Sequence, residues 1–407
     1  MENKKKAIFY TLFVLLVTII FGLVMFNEIK IGDYPQHIGW AKEYSQTGYL
    51  YKIPHTLFAK AVTIVRALLP ANFFVRVSVF AKQVYDLKSY EISAMIVMIL
   101  SYIGAAIYLV KRILREWAGL RSKKLLWLAG TGALILLLFG PIFVFSFPKF
   151  MYLGYIVPNP YHNPTYILGR PFVLIMFFGI VDYLFSKWNW RQALIMVIVI
   201  SCASLAKPSF TLTILPALGL TLLIFYWKEL KKVNWFYLII PIGMTAVVML
   251  ISEFIINYTG DRGEAIIVAP FQSMLYHVPN VPAILFRLLM SLIFPISVSI
   301  VYWKDLKSKF SFRLAWVNLI VAILMGYLFA EQINSPSNNF WWGTMFGLTI
   351  VLFETFVPWA KKVISDIENK KKLTWQDIVI SVELFLHLAC GIIYFVYCFL
   401  DKALMVD

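Results

Sequence analysis

The sequence predicts an all-α, polytopic membrane fold. Three observations carry that expectation: the apolar composition, the number and length of the apolar runs, and the alternation of charge between them. Hydrophobic residues make up 61% of the 407, charged residues only 14%, and mean hydropathy is +0.77. A soluble domain is roughly half apolar and about a quarter charged. A soluble chain this apolar would lack the polar surface to cover its core, so one transmembrane domain over residues 1–407 is expected.

A helix needs about 20 apolar residues to cross a hydrocarbon core of about 30 Å. Eleven segments qualify: 7–27, 92–110, 125–147, 166–186, 192–206, 209–227, 235–257, 283–303, 314–331, 343–359 and 377–399. The first follows Lys4, Lys5 and Lys6 and is too long for the apolar region of a signal peptide, so it reads as a retained span. Only Lys207-Pro208 divides 192–206 from 209–227, which leaves two spans or one broken unit as alternatives.

Charge orients the spans. The N-terminus and the loops 111–124, 187–191, 228–232, 304–313 and 361–372 hold 23 Lys and Arg, whereas the short alternate loops hold only Lys149, Arg170, Lys207 and Arg262. That bias places the N-terminus in the cytoplasm and, with eleven spans, the C-terminus outside. Tryptophans such as Trp127, Trp303, Trp359 and Trp375 fall near span ends, as an aromatic belt requires. The net charge of +16 does not indicate nucleic acid, because the cations lie in short runs between spans, as at Lys111, Arg112, Arg115, Arg121, Lys123 and Lys124. Membrane lipids are the expected partners of those runs. Cys202, Cys390 and Cys398 all lie in apolar segments and suit packing rather than a disulfide framework.

The external face is expected to carry the chemistry. Residues 28–91 form a long first loop. In it, 55–69 set Leu57, Phe58, Ala61, Ile64, Val65, Leu68 and Leu69 on one helical face, the pattern of an interfacial helix. Loops 148–165 and 258–282 follow. Four of the five histidines, His37, His55, His162 and His277, fall on this side.

Four features stand out. In Gly32-Asp33-Tyr34-Pro35-Gln36-His37, Asp33 is a carboxylate at a membrane mouth, suited to a general base or a divalent metal. The bland alternative is that Asp33 caps a helix begun by Pro35 and that His37 is merely polar. In Pro158-Asn159-Pro160-Tyr161-His162-Asn163-Pro164-Thr165 three prolines stiffen a polar loop fit for sugar or phosphate, with His162 and Asn163 as contacts; a tight turn between spans is the alternative. Arg170, Lys207, Arg262 and Arg287 are cations at external span ends. Arg287 lies inside an apolar run, where charge calls for a partner or a function. A lipid-linked phosphate would suit it, whereas Arg170 and Lys207 read as residues that snorkel. Last, Glu331-Gln332-Ile333-Asn334 with Trp341-Trp342 has the makeup of a carbohydrate-contacting surface or of ordinary belt residues. Glu253, Glu354, Glu383 and His387 lie in or near spans, as an ion path would require, but share no spacing. No Walker A, dinucleotide-binding or His-Glu-x-x-His motif is present.

With Asp33 just after the first span, the stretch 55–69 behind it and this number of spans, the chain resembles the GT-C superfamily of polytopic membrane glycosyltransferases. The resemblance covers the chain as topology and about residues 28–69 as motif. It implies transfer of a sugar from a polyprenyl-phosphate donor to a glycan or lipid-linked acceptor on the external face. Asp33 would be the general base, with substrate contacts among His37, His162, Asn163, Arg170, Arg262, Arg287 and Glu331, and a divalent metal as in some members. The large C-terminal soluble domain of better-defined subfamilies is missing, which leaves sugar and acceptor open. A transporter or flippase of a lipid-linked or sugar substrate, and a polysaccharide polymerase or ligase, are the competing expectations. The expected location is a bacterial plasma membrane.

Overall fold

A computed structural model of the chain describes residues 2–48, 55–70, 72–79, 83–143, 154–187, 189–237, 239–240, 243–244, 246–247, 266–332 and 339–400. The elements are α1 (Glu2–Glu28), α2 (Tyr34–Thr47), α3 (Thr56–Ala67), β1 (Phe74–Val79), β2 (Gln83–Lys88), α4 (Ser89–Glu116), α5 (Leu125–Leu138), α6 (Pro164–Tyr183), α7 (Trp190–Ala206), α8 (Ser209–Phe225), β3 (Ile266–Val268), α9 (Val281–Val301), α10 (Phe310–Leu328), β4 (Phe329–Glu331), α11 (Trp342–Glu368) and α12 (Trp375–Leu400). The protein is mostly helical. Among the described residues, seven helices are long and apolar enough to cross a membrane: α1, α4, α6, α9, α10, α11 and α12; α5, α7 and α8 are shorter apolar helices.

The perimeter is written in exposed apolar side chains. Ile8, Leu12, Leu15 and Ile19 along α1, and Ile378, Val382 and Phe385 along α12, face away from the protein. Such a surface is tolerated where the solvent is lipid. Inside, α6 and α11 are the most deeply buried of the long helices. α4 packs on α1, α5 and α6, α10 on α8 and α11, and α12 on α1 and α9. Small residues let these helices approach: a Cβ on Gly347 would meet the Leu319 Cα at 3.2 Å.

Local chemistry sets several boundaries. Asn163 caps α6 by accepting from the Tyr166 amide at 2.8 Å, and Asn280 caps α9 by accepting from Ala283 at 2.9 Å; both helices have proline in the first turn. Lys207-Pro208 separates α7 from α8, each of 17 residues. That is about 25 Å of helix, short of a full hydrocarbon core.

Two expectations need revision. The segment 125–147 is not one helix. α5 stops at Leu138, and Phe139-Gly140-Pro141 leads away in non-helical backbone. The freed groups are met by other elements: Asn159 Nδ2 donates to Phe139 O at 2.8 Å, Ile142 N to Met290 O at 3.1 Å, and the His387 Nδ1 and Gly140 O are 2.7 Å apart. Irregular backbone survives in a membrane protein only where it is so enclosed. The described part of the expected external loop 148–165, residues 154–163, is buried throughout. It forms a plug among α5, α6, α9 and α11 rather than a solvated turn. The all-α class expected from the sequence holds, with few strands: β1 and β2 form a hairpin with Arg76 paired to Asp86 across it, and β3 pairs with β4. In the first loop, α3 buries Phe58, Ala59 and Val62 while Ile64 and Leu68 stay exposed, so its apolar residues serve two faces. The expected span 235–257 falls largely outside the described residues, as do Glu253 and Arg262.

Candidate active site

The site is built where α1 ends. Residues 29–33 turn the chain from α1 into α2, and Gly32 sits at φ +59°. A Cβ there would lie 2.9 Å from the His162 Cβ. Glycine is therefore required twice, by conformation and by contact. The turn is tied to the plug through Asp33 N, which donates to His162 O at 3.2 Å.

Asp33 occupies the N-cap position of α2 but its side chain makes no capping bond. The half-buried carboxylate instead accepts a hydrogen bond from Asn163 Nδ2 at 2.5 Å. Asn163 is held for that task because its Oδ1 is already occupied by Tyr166 N at 2.8 Å and Thr165 Oγ1 at 2.9 Å. The helix-capping alternative for Asp33 is thus removed; the side-chain cap in this neighbourhood is that of Asn163 on α6.

Two buried basic side chains share the neighbourhood. Burial pushes the His162 imidazole below its ordinary value; the Asp33 carboxylate opposes this and the Lys207 ammonium adds to it. Lys207 is pushed down to about 8 by burial, with Asp33 pulling the other way. At neutral pH the His162 ring is therefore neutral and Lys207 still a cation. The Lys207 Nζ lies 4.1 Å from the centre of the Trp342 ring, and the His162 ring is 5.6 Å from it. Trp342 thus floors a small constellation of Asp33, His162, Asn163 and Lys207, drawn from three separate parts of the chain.

Two further expected site residues serve the plug. Arg170 is 1% exposed and donates from Nη2 to Pro158 O at 2.5 Å, between the rings of Tyr166 and Tyr102. It positions the loop that presents His162 and Asn163. Arg287, buried in α9, lies over Tyr155 at 5.5 Å and against Gly154, at the other end of that loop. His37 packs among Trp40, His55 and Phe58, joining α2 to α3. Glu331 sits apart on β4 and accepts from Asn339 Nδ2 at 2.9 and 3.1 Å. The span acids are engaged locally: Glu354 accepts from Ser311 at 2.7 Å and Glu383 from Ser297 at 2.8 Å. Among the described residues, no group of three or more His, Cys, Asp or Glu is placed to hold a metal ion.

Lys207 and Trp342 are the functional candidates that local reading undervalued. The signal for Lys207 was a lysine beside proline between two helices too short to span. The signal for Trp342 was only its place in Trp341-Trp342. Chemically, the constellation offers a fixed carboxylate, a neutral imidazole and a cation enclosed by an aromatic ring. Comparison with family models and with curated proteins finds no match to this chain.

Proposed function

We propose that the protein is a membrane glycosyltransferase of the GT-C kind, moving a sugar from a polyprenyl-phosphate donor to an acceptor hydroxyl at the membrane face where α1 ends. The observation that supports this most is the placement of Asp33. Its carboxylate is not spent on capping α2 but is held by Asn163 beside Lys207. On this reading Asp33 accepts the proton of the acceptor hydroxyl as the new bond to the sugar C1 forms. The bond between C1 and the phosphate oxygen breaks, and the electron pair leaves with the polyprenyl phosphate. Lys207 offsets the charge that develops on that oxygen, which a cation in an enclosed site does strongly. Neutral His162 would hydrogen-bond substrate without competing for the phosphate. The face concerned would be external and the N-terminus cytoplasmic, by the charge bias of the loops.

The test uses the full chain in proteoliposomes, a panel of labelled polyprenyl-phosphate hexoses and a membrane extract as acceptor pool. Loss of a general base costs about 100-fold or more. Asp33→Asn and Asp33→Ala should therefore abolish label transfer while elution and thermal unfolding stay as in the parent. Full transfer by a folded Asp33→Ala protein would refute the assignment. Label that crosses the bilayer with no new covalent product would identify a transporter, and long product chains a polymerase.

A further inference from the structure

A second site lies at the opposite end of the bundle. A cavity of about 510 Å³ opens between the end of α4 and the last turns of α11, with Glu116, Gly119, Lys309, Lys361 and Lys362 in its wall. Trp342 and Lys361 are on the same helix, nineteen residues apart. That separation is about 28 Å, close to the thickness of the hydrocarbon core. The cavity and the Asp33 site therefore belong to opposite membrane faces.

Its charge is positive and in part uncommitted. Glu116, the acid in the wall, is paired with Arg112 at 3.1 Å. Lys362 is engaged by Asp377 at 2.5 Å and Asp366 at 3.1 Å. Lys361 gives two donors to the carbonyls of Glu116 at 2.7 Å and Ala118 at 3.1 Å, which keeps its third free. Lys309 is exposed and has no carboxylate within ion-pair distance among the described residues. Two ammonium groups thus face a cavity whose lining acid, Glu116, is already paired; Glu354, within electrostatic reach of Lys309, lies outside the lining and accepts from Ser311.

The depth of the cavity points to the occupant. Trp127, Trp303 and Trp375 are 52%, 53% and 70% exposed, and each lies at a helix end on this same face. Exposed indoles mark the headgroup level of a bilayer. Arg121, Lys123, Lys124 and Lys370, Lys371, Lys372 follow the ends of α4 and α11 on this face, where basic residues draw anionic lipid.

We infer that this cavity seats the phosphate headgroup of an anionic phospholipid, held by Lys309 and Lys361, in the leaflet opposite the Asp33 site. The inference is independent of the glycosyltransferase reading. It is tested on the full chain in nanodiscs of equal phosphatidylglycerol and phosphatidylcholine, by native mass spectrometry of the lipid retained on release. The parent, Lys309→Arg and the control Lys60→Gln, on α3 near the Asp33 end, should each retain phosphatidylglycerol over phosphatidylcholine. Lys309→Gln should retain it about five-fold more weakly, the worth of one basic residue at an anionic surface, and Lys309→Glu more weakly still. Undiminished retention in both Lys309→Gln and Lys309→Glu would overturn the site. Displacement of the lipid by millimolar glycerol phosphate would also overturn it, by assigning the cavity to a soluble phosphate.

Discussion

The two ends of the bundle both gather charge, but they treat it differently. At the Asp33 end the charged and titratable groups are buried: Lys207 and His162 both lose solvent, and the Asp33 carboxylate offsets only part of that loss. At the other end, away from the lysines of the Lys309–Lys361 cavity, the charges form matched, structural pairs. Arg112 and Arg115 share Asp182 at 2.7 and 2.5 Å. Asp377 closes the start of α12 by exchanging bonds with Thr374, accepting from its amide and hydroxyl at 3.2 and 2.6 Å, while also receiving Lys362. A matched network stabilises a fold. A buried, under-matched cation costs stability and is kept where a ligand supplies the missing charge. The contrast predicts that substitutions at one end separate activity from stability, and that those at the other end do the reverse.

The largest effect is expected at Lys207. Removing a donor that meets developing charge in an enclosed site costs about 100-fold or more, so Lys207→Gln should lower transfer by that order with little loss of thermal stability. The pH profile sharpens the point. Because burial lowers the Lys207 value to about 8, folding disfavours its charged form. The penalty is complete below about pH 8 and is relieved as pH rises from there toward the ordinary lysine value. Stability should therefore rise slightly across that window while transfer falls. Lys207→Arg, which stays charged, should lose that alkaline limb. A limb that persists in Lys207→Arg would assign the titration to another group.

At the opposite end, Asp377→Ala removes half of the capping box it forms with Thr374 and one of the two carboxylates that hold Lys362. A cap is worth about 1 kcal/mol, and loss of a buried partner adds more, discounted because Lys362 is partly exposed. A drop of about 2–3 kcal/mol in detergent unfolding is expected, with residual folded protein transferring sugar at the parental rate. A fall in transfer beyond the fall in folded fraction would erase the distinction between the two ends.

Much of this was legible in the sequence, for identifiable reasons. Helices such as α1, α9 and α10 are long apolar runs, and hydropathy alone finds them. Asp33 stood out because Gly32 and Pro35 frame it as a turn entering a helix. The break after Leu138 was hidden because Phe139-Gly140-Pro141-Ile142-Phe143 is as apolar as a span, although Gly-Pro is a helix-stopping pair. The burial of 154–163 was hidden by its polarity. Asn159 and His162 read as surface residues, and their partners on the turn after α1, on α5 and on α11 are far away in sequence. Lys207 was mistaken for a snorkelling lysine because Trp342, which encloses it, is 135 positions distant and nothing local announces the contact.

The smallest effect separates conformation from contact within the Asp33 end itself. Gly32 and Gly48 flank α2, at φ +59° and +70°. A Cβ at Gly48 meets nothing within 4 Å, whereas at Gly32 it meets the His162 Cβ and carbonyl oxygen at 2.9 and 3.2 Å. Gly48→Ala should cost only the left-handed backbone penalty, about 1 kcal/mol. Gly32→Ala carries that penalty and must also move His162, whose Cβ is fixed by its own main chain. Its cost should be about 1 kcal/mol greater, and because His162 O anchors Asp33 N, transfer should fall as well. Unfolding and transfer measured on the two variants side by side give the check. Equal costs, with transfer intact in Gly32→Ala, would mean that the turn and the plug are not coupled and that Asp33 does not depend on His162 for its position.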